Sequence, residues 1–177
     1  MIYNHNRVDN MKKVLSIFIK LFIFIGIIYY LYAVLGIRVY KASGTSMNST
    51  IGNGEIVLTI KEKNIKRGDI IVFDVSGSNI IKRIVGLPTE TIDIKENGFV
   101  YINNALYNET YVSTKTPKEE ISYPHIVEDN NYFVLGDNRV DSFDSRFKKI
   151  KDINIEKIKG RVFFSLSKFK LVHRINQ

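Results

Sequence analysis

One apolar run limits what this chain can fold into. Residues 14–32 read VLSIFIKLFIFIGIIYYLY and continue through AVLGI to Ile37, with Lys20 the only charge inside. A helix needs about 20 apolar residues to cross about 30 Å of hydrocarbon, and this run reaches that length. A signal-peptide core is shorter, about 7–15 residues, and a helix buried in a globular core seldom lacks a polar face. Lys20 lies near the N-terminal end of the run, where its stem can carry the ammonium to the interface. Hydropathy thus predicts a tail at 1–13, a transmembrane anchor at 14–36 and a folded domain at 37–177. Arg7, Lys12 and Lys13 precede the run, and Arg38 and Lys41 follow it. That balance leans towards a cytoplasmic N-terminus, with Tyr29, Tyr30 and Tyr32 at the far interface. No second run of spanning length follows, so a single-pass protein of the cell membrane is expected, its domain outside the cytoplasm.

Composition narrows the chemistry. The 177 residues contain no cysteine, which removes disulfides, thiolate nucleophiles and zinc–thiolate sites together. The formal charge is +8, a balance that suits either nucleic acid or an anionic lipid surface. The lysines and arginines are scattered and form no nucleic-acid module, so the lipid bilayer is the expected partner and nucleic acid is not.

Beyond residue 54 the apolar residues come in short β-rich runs: EIVLTI at 55–60, DIIVFDV at 69–75, NIIKRIVGL at 79–87, YFVLG at 132–136 and GRVFFSL at 160–166. TIDIK and FVYI flank Asn97-Gly98, a hairpin signal. Residues 103–130 are polar, with Pro117 and Pro124, and read as a long excursion or flap. DINIEKIKG suggests a short helix. The expected class is mainly β, antiparallel sheets coiled around each other with few short helices, behind one transmembrane helix.

Three stretches can carry chemistry. ASGTSMNSTI at 42–51 crowds hydroxyls just past the anchor, as a flexible linker or as the seat of a nucleophile. Without cysteine, a covalent mechanism needs serine or threonine with a base. The histidines, His5, His125 and His173, sit in contexts that suit surface residues better than a triad. Lysine remains. Lys82 is embedded among isoleucines and valine in NIIKRIVGLP, and burial can depress a lysine enough to make it a base. The competing reading puts Lys82 on the solvent face of an edge strand with Arg83 facing the other way, and periodicity alone favours that one. The third stretch, LGDNRVDSFDSR at 135–146, packs three aspartates and two arginines behind a strand. It lacks the ligand ladder of a calcium loop, and reads either as a solvated turn or as a loop stiffened by pairs such as Asp144 with Arg146.

Together these stretches resemble the type I signal peptidases, membrane-anchored serine proteases that remove signal peptides from exported proteins. The family's S-M-x-P-T appears as SMNST, its K-R-[IV]-[IV]-G-L-P-G-[DE] as KRIVGLPTE, and its G-D-N-R-x-x-S-x-D-S-R as GDNRVDSFDSR. RGDIIVF at 67–73 and GR at 160–161 also sit where the family has equivalents. The single anchor and small body are similar to the Gram-positive form.

The resemblance implies Ser46 as nucleophile and Lys82 as general base. It also implies that Ser142 orients the Lys82 amine, that Asp144 pairs with Arg146, and that Asp137 steadies Arg83. Met47, Ile51, Ile80 and Ile81 would line shallow pockets for small residues, giving cleavage after Ala-x-Ala. The Ser46 N–H would hold the oxyanion with a second donor, Ser43 or Thr45, because Gly44 has no hydroxyl. The implied partners are preproteins bearing signal peptides, pilins among them, with no metal and no cofactor.

Two positions depart from the pattern. Ser49 replaces a proline, and Thr89-Glu90 replaces Gly-Asp. The rivals are a self-cleaving repressor-type Ser-Lys protease, which lacks the GDNR…DSR stretch, and a pilus-assembly accessory protein that binds without cleaving.

Overall fold

The computed structural model describes residues 2–166 and 170–172 and divides the chain into two units, 1–37 and 38–177. The first unit is one helix, α1, Ile2–Ala33. Within it Asn10–Ala33 is long and apolar enough to cross a membrane; 24 residues span about 36 Å at 1.5 Å each. In such a helix every backbone group is bonded internally, as a lipid surround demands. The helix starts well before the apolar run. It ends where Gly36 takes a left-handed φ of 62° and the Ile37 N–H reaches back to Leu31 O at 3.0 Å, a turn that leaves the helix axis.

The second unit is mainly β, as the alternating runs predict. Its strands are β1 (Arg38–Lys41), β2 (Ile56–Ile60), β3 (Ile70–Val75), β4 (Ser78–Gly86), β5 (Thr91–Ile94), β6 (Val100–Ile102), β7 (Ala105–Leu106), β8 (His125–Ile126), β9 (Asn131–Leu135), β10 (Ile153–Asn154), β11 (Ile158–Ser165) and β12 (Lys170–Leu171). The larger sheet runs β1-β2-β11-β3-β4-β9-β10, with β12 on β11, and the smaller runs β7-β6-β5-β8; every pairing is antiparallel.

Alternation along the strands sorts the core into three clusters. Ile71, Phe73, Ile84 and Val134 share one. The neighbours of the last two, Val85 and Leu135, pack instead with Ile92, Ile94, Val100 and Ile102 of the smaller sheet. Ala42, Met47 and Ile51, from the loop after β1, pack on Val57, Ile70 and Val162. The loop that carries Ser46 and the sheet are therefore held together by buried apolar area, at about 25 cal/mol per Å2.

Three expectations change. DINIEKIKG is helical only over a 3-10 turn at Ile155–Lys157, between β10 and the start of β11, with the Asn154 side chain accepting from Glu156 N. Its β-branched isoleucines suit a pleated sheet better than a helix. The excursion at 103–130 contributes β7 and β8 to the smaller sheet. Thirdly, β4 is no edge strand. It lies between β3 and β9, so the strand that carries Lys82 is covered on both sides by neighbours.

Candidate active site

Ser46 and Lys82 come together from two separate elements, the β1–β2 turn and strand β4. Ser46 sits in the turn between β1 and β2, a turn closed by Asn48 N–H to Thr45 O at 2.9 Å and Ile51 N–H to Met47 O at 2.8 Å. Lys82 leaves the middle of β4, and its Nζ lies 2.6 Å from Ser46 Oγ. Lys82 is only 4% exposed. Its burial drives the ammonium down from 10.5 to about 8, against the pull of Asp144, Asp137 and Asp141 and with a push from Arg146. The solvent-face reading of Lys82 is therefore wrong. Periodicity assumed an open strand and missed the loops that close over it.

A cleft of about 300 Å3 opens at this pair. Met47, Ile51, Ile80 and Ile81 line it together with Ser43 and Thr45, so the residues predicted for pockets and for the oxyanion share one cavity with Ser46 and Lys82. Asp141 and Phe143, from the 135–146 stretch but with no role expected of them, also line it.

Behind the pair stand two buried ion pairs. Asp137 accepts from Arg83 Nε at 2.8 Å and Nη2 at 2.6 Å, and from Thr50 Oγ1 at 2.5 Å. The Tyr111 ring covers the Arg83 guanidinium at 4.2 Å. Asp144, fully buried, accepts from Arg146 Nε at 2.7 Å and Nη2 at 2.9 Å, and from Gly136 N–H at 3.0 Å. Each charge has a partner in bidentate geometry, which is what offsets the cost of taking it out of water. The polar-turn reading of 135–146 gives way to the ion-paired one.

Ser142 departs from its expected bond. Its hydroxyl donates to Asp144 Oδ2 at 2.6 Å, and among the described residues no hydrogen bond joins it to Lys82. Thr45 is also occupied, since its hydroxyl donates to the Asp141 carboxylate. The Gly44 N–H donates to Asn53 Oδ1 at 3.0 Å. His125 engages Asp152 at 2.9 Å rather than Ser46, while His173 and the His5 side chain lie outside the described residues. Both family departures fall on left-handed backbone. Ser49 has φ 85° and Thr89 φ 69°. A proline ring, fixed near −65°, cannot occupy the conformation Ser49 adopts. Thr89 keeps the glycine-like turn, and Glu90 anchors it by accepting from Leu87 N–H at 2.7 Å and pairing with Arg67.

The site also uses residues of the GDNR stretch to which the resemblance assigned no role. Arg139, 1% exposed, donates to Gly136 O at 3.0 Å and pairs with Glu109 from the 103–130 excursion. Gly136 allows close approach, because a Cβ there would come within 2.6 Å of Ser46 O and collide with Ser142. Asn138 N–H donates to that same Ser46 O at 3.0 Å.

An antiparallel β body that closes a buried amine against a serine hydroxyl has the parts of a serine hydrolase site. The family model described as "Signal peptidase, peptidase S26" matches residues 15–167, and the chain belongs to that family. Signal peptidase I S of Bacillus subtilis (strain 168) is 38% identical over 120 residues, covering 60% of this chain and 65% of that one. The match thus spans just under two thirds of that relative's own length. Signal peptidase I P of Bacillus subtilis subsp. natto is 31% identical over 150 residues, covering 74% and 79%. The crystal structure of a signal peptidase I from Enterococcus faecalis V583 aligns at 30% identity with a TM-score of 0.47, covering 56% of this chain and 97% of that one.

Proposed function

We propose that this chain is a membrane-anchored serine endopeptidase that removes signal peptides from exported preproteins, with Ser46 as nucleophile and Lys82 as general base. The observation that carries the reading is the 2.6 Å approach of Lys82 Nζ to Ser46 Oγ at a cleft that both residues line. The hydroxyl oxygen attacks the scissile carbonyl carbon while its proton passes to Lys82 Nζ. The oxyanion meets the Ser46 N–H. As the C–N bond breaks, the Lys82 ammonium returns the proton to the leaving amine. Water then releases the acyl group by the same steps, with Lys82 again taking the proton.

The shallow cleft over Met47, Ile51, Ile80 and Ile81 accepts small side chains and rejects large ones by sterics, which supports cleavage after Ala-x-Ala. The substrate enters as an extended strand. Helix α1 keeps the site beside a substrate that is itself held in the bilayer, which raises effective concentration. The N-terminus is cytoplasmic and the body extracytoplasmic.

A base held near 8 must lose its proton before it can act, so about a tenth of the molecules are competent at pH 7. kcat/KM for an Ala-x-Ala peptide is expected to rise about tenfold per pH unit below 8 and to level off above it. A limb near 6.5, the ordinary histidine value, contradicts the lysine base.

A further inference from the structure

Two of the groups around Ser46 that could bind an oxyanion are already occupied. Gly44 has no hydroxyl, its N–H is taken by Asn53, and the Thr45 hydroxyl is taken by Asp141. The Ser46 N–H has no acceptor among the described residues; it and the Ser43 hydroxyl, which also lines the cleft, are what remain, and the N–H depends on the direction in which its bond points. A trans peptide fixes this direction, because its N–H lies opposite its C=O. Whatever holds the Thr45 carbonyl therefore aims the Ser46 N–H.

Two groups hold it. Asn48 N–H reaches Thr45 O at 2.9 Å from within the turn. The Asn138 side-chain amide reaches it at 3.3 Å from the 135–146 stretch, while the Asn138 backbone N–H holds Ser46 O at 3.0 Å. Asn138 thus spans two successive peptides of the nucleophile turn, one with each of its donors. Its own position is set by the buried neighbours Asp137 and Arg139 and by the turn that Asp141 N–H closes on Asn138 O at 3.2 Å. Lys82 plays no part in these bonds.

We infer that Asn138 is the positioning residue of the oxyanion site: its side-chain amide turns the 45–46 peptide so that the Ser46 N–H faces the developing negative charge. The inference rests on the peptidase reading and predicts a loss confined to states that carry that charge. Losing an oxyanion donor outright costs about 10²–10³ in kcat. With Asn48 still in place, Asn138→Ala is expected to lower kcat by about tenfold to a hundredfold and to leave KM unchanged.

The deciding comparison uses full-length protein with an Ala-x-Ala peptide aldehyde and the matching peptide alcohol. When the aldehyde binds, the Ser46 Oγ–C bond forms, the carbonyl π bond opens to an oxyanion, and the hydroxyl proton passes to Lys82 Nζ. The alcohol occupies the same cleft without that charge. Asn138→Ala is expected to weaken the aldehyde by the same factor as kcat/KM, to leave the alcohol within about twofold, and to keep the acid limb near 8. Equal losses for both ligands, or activity within threefold of the parent, overturn the inference. If the alanine variant does not fold, Asn138→Ser, whose hydroxyl is too short to span the gap, carries the same comparison. A parent chain that neither cleaves nor prefers the aldehyde overturns the peptidase reading and this inference with it. A parent that does both beside an unchanged variant overturns the inference alone.

Discussion

At the scale of single residues, the Lys82 amine sets function against stability. Its pKa is lowered from 10.5 to about 8 by burial, so the folded chain binds that proton less tightly than the unfolded chain does. Folding is therefore opposed below about pH 8, and the opposition fades as pH rises from 8 to 10.5. A shift of this size corresponds to about 3 kcal/mol, and the bond to Ser46 Oγ returns about 1 kcal/mol. Lys82→Met, similar in shape and without charge, is expected to abolish cleavage yet raise stability at pH 7 by about 1–2 kcal/mol. Urea unfolding at pH 7 and pH 10.5 checks this, and the gain should be gone at the higher pH. Gly136→Ala should lower stability instead. A methyl group there collides with Ser142 and Ser46 O, and overpacking of this kind costs about 1–3 kcal/mol, so both the unfolding midpoint and activity should fall.

At the scale of elements, the 103–130 excursion braces the site. Glu109 neutralises the buried Arg139, which holds Gly136 O, and Tyr111 lies on the Arg83 guanidinium. Removing one partner of a buried pair costs about 3–5 kcal/mol, so Glu109→Gln should lose several kcal/mol in urea unfolding although position 109 touches neither Ser46 nor Lys82. No local pattern marks this brace, since Glu109 and Tyr111 lie in a polar segment with no period. The main strands were legible because Val- and Ile-rich runs alternate and end at turn residues, and Asn97-Gly98 does form the hairpin turn, with Gly98 at φ 79°. Strand β1 was not, because RVYK is short and polar and acquires its structure from pairing with β2. Lys82 and Ser142 mark the same limit at the site. The motifs named residues that lie next to each other in the structure, but burial and bonding partner depend on loops whose path no local pattern encodes.

For the whole molecule, an apolar helix precedes a β body, and the proposed topology makes the two differ in accessibility across the bilayer. The chain has no cysteine, so single cysteines report position without background. In intact cells a membrane-impermeant maleimide should label Val140→Cys, which replaces a residue 68% exposed on the body, and should leave Asn10→Cys unlabelled until the membrane is opened. The reverse pattern would place the body in the cytoplasm. The central claim is that Ser46 and Lys82 together cut membrane-held preproteins, and one measurement addresses it directly. Full-length protein in lipid vesicles is given a preprotein with an Ala-x-Ala site, beside Ser46→Ala and Lys82→Ala, and the product mass is read. The account predicts one cut after the second alanine by the parent and a loss of at least about 10³-fold in each variant. Cleavage that survives either substitution, or a folded parent that leaves the preprotein whole, contradicts it.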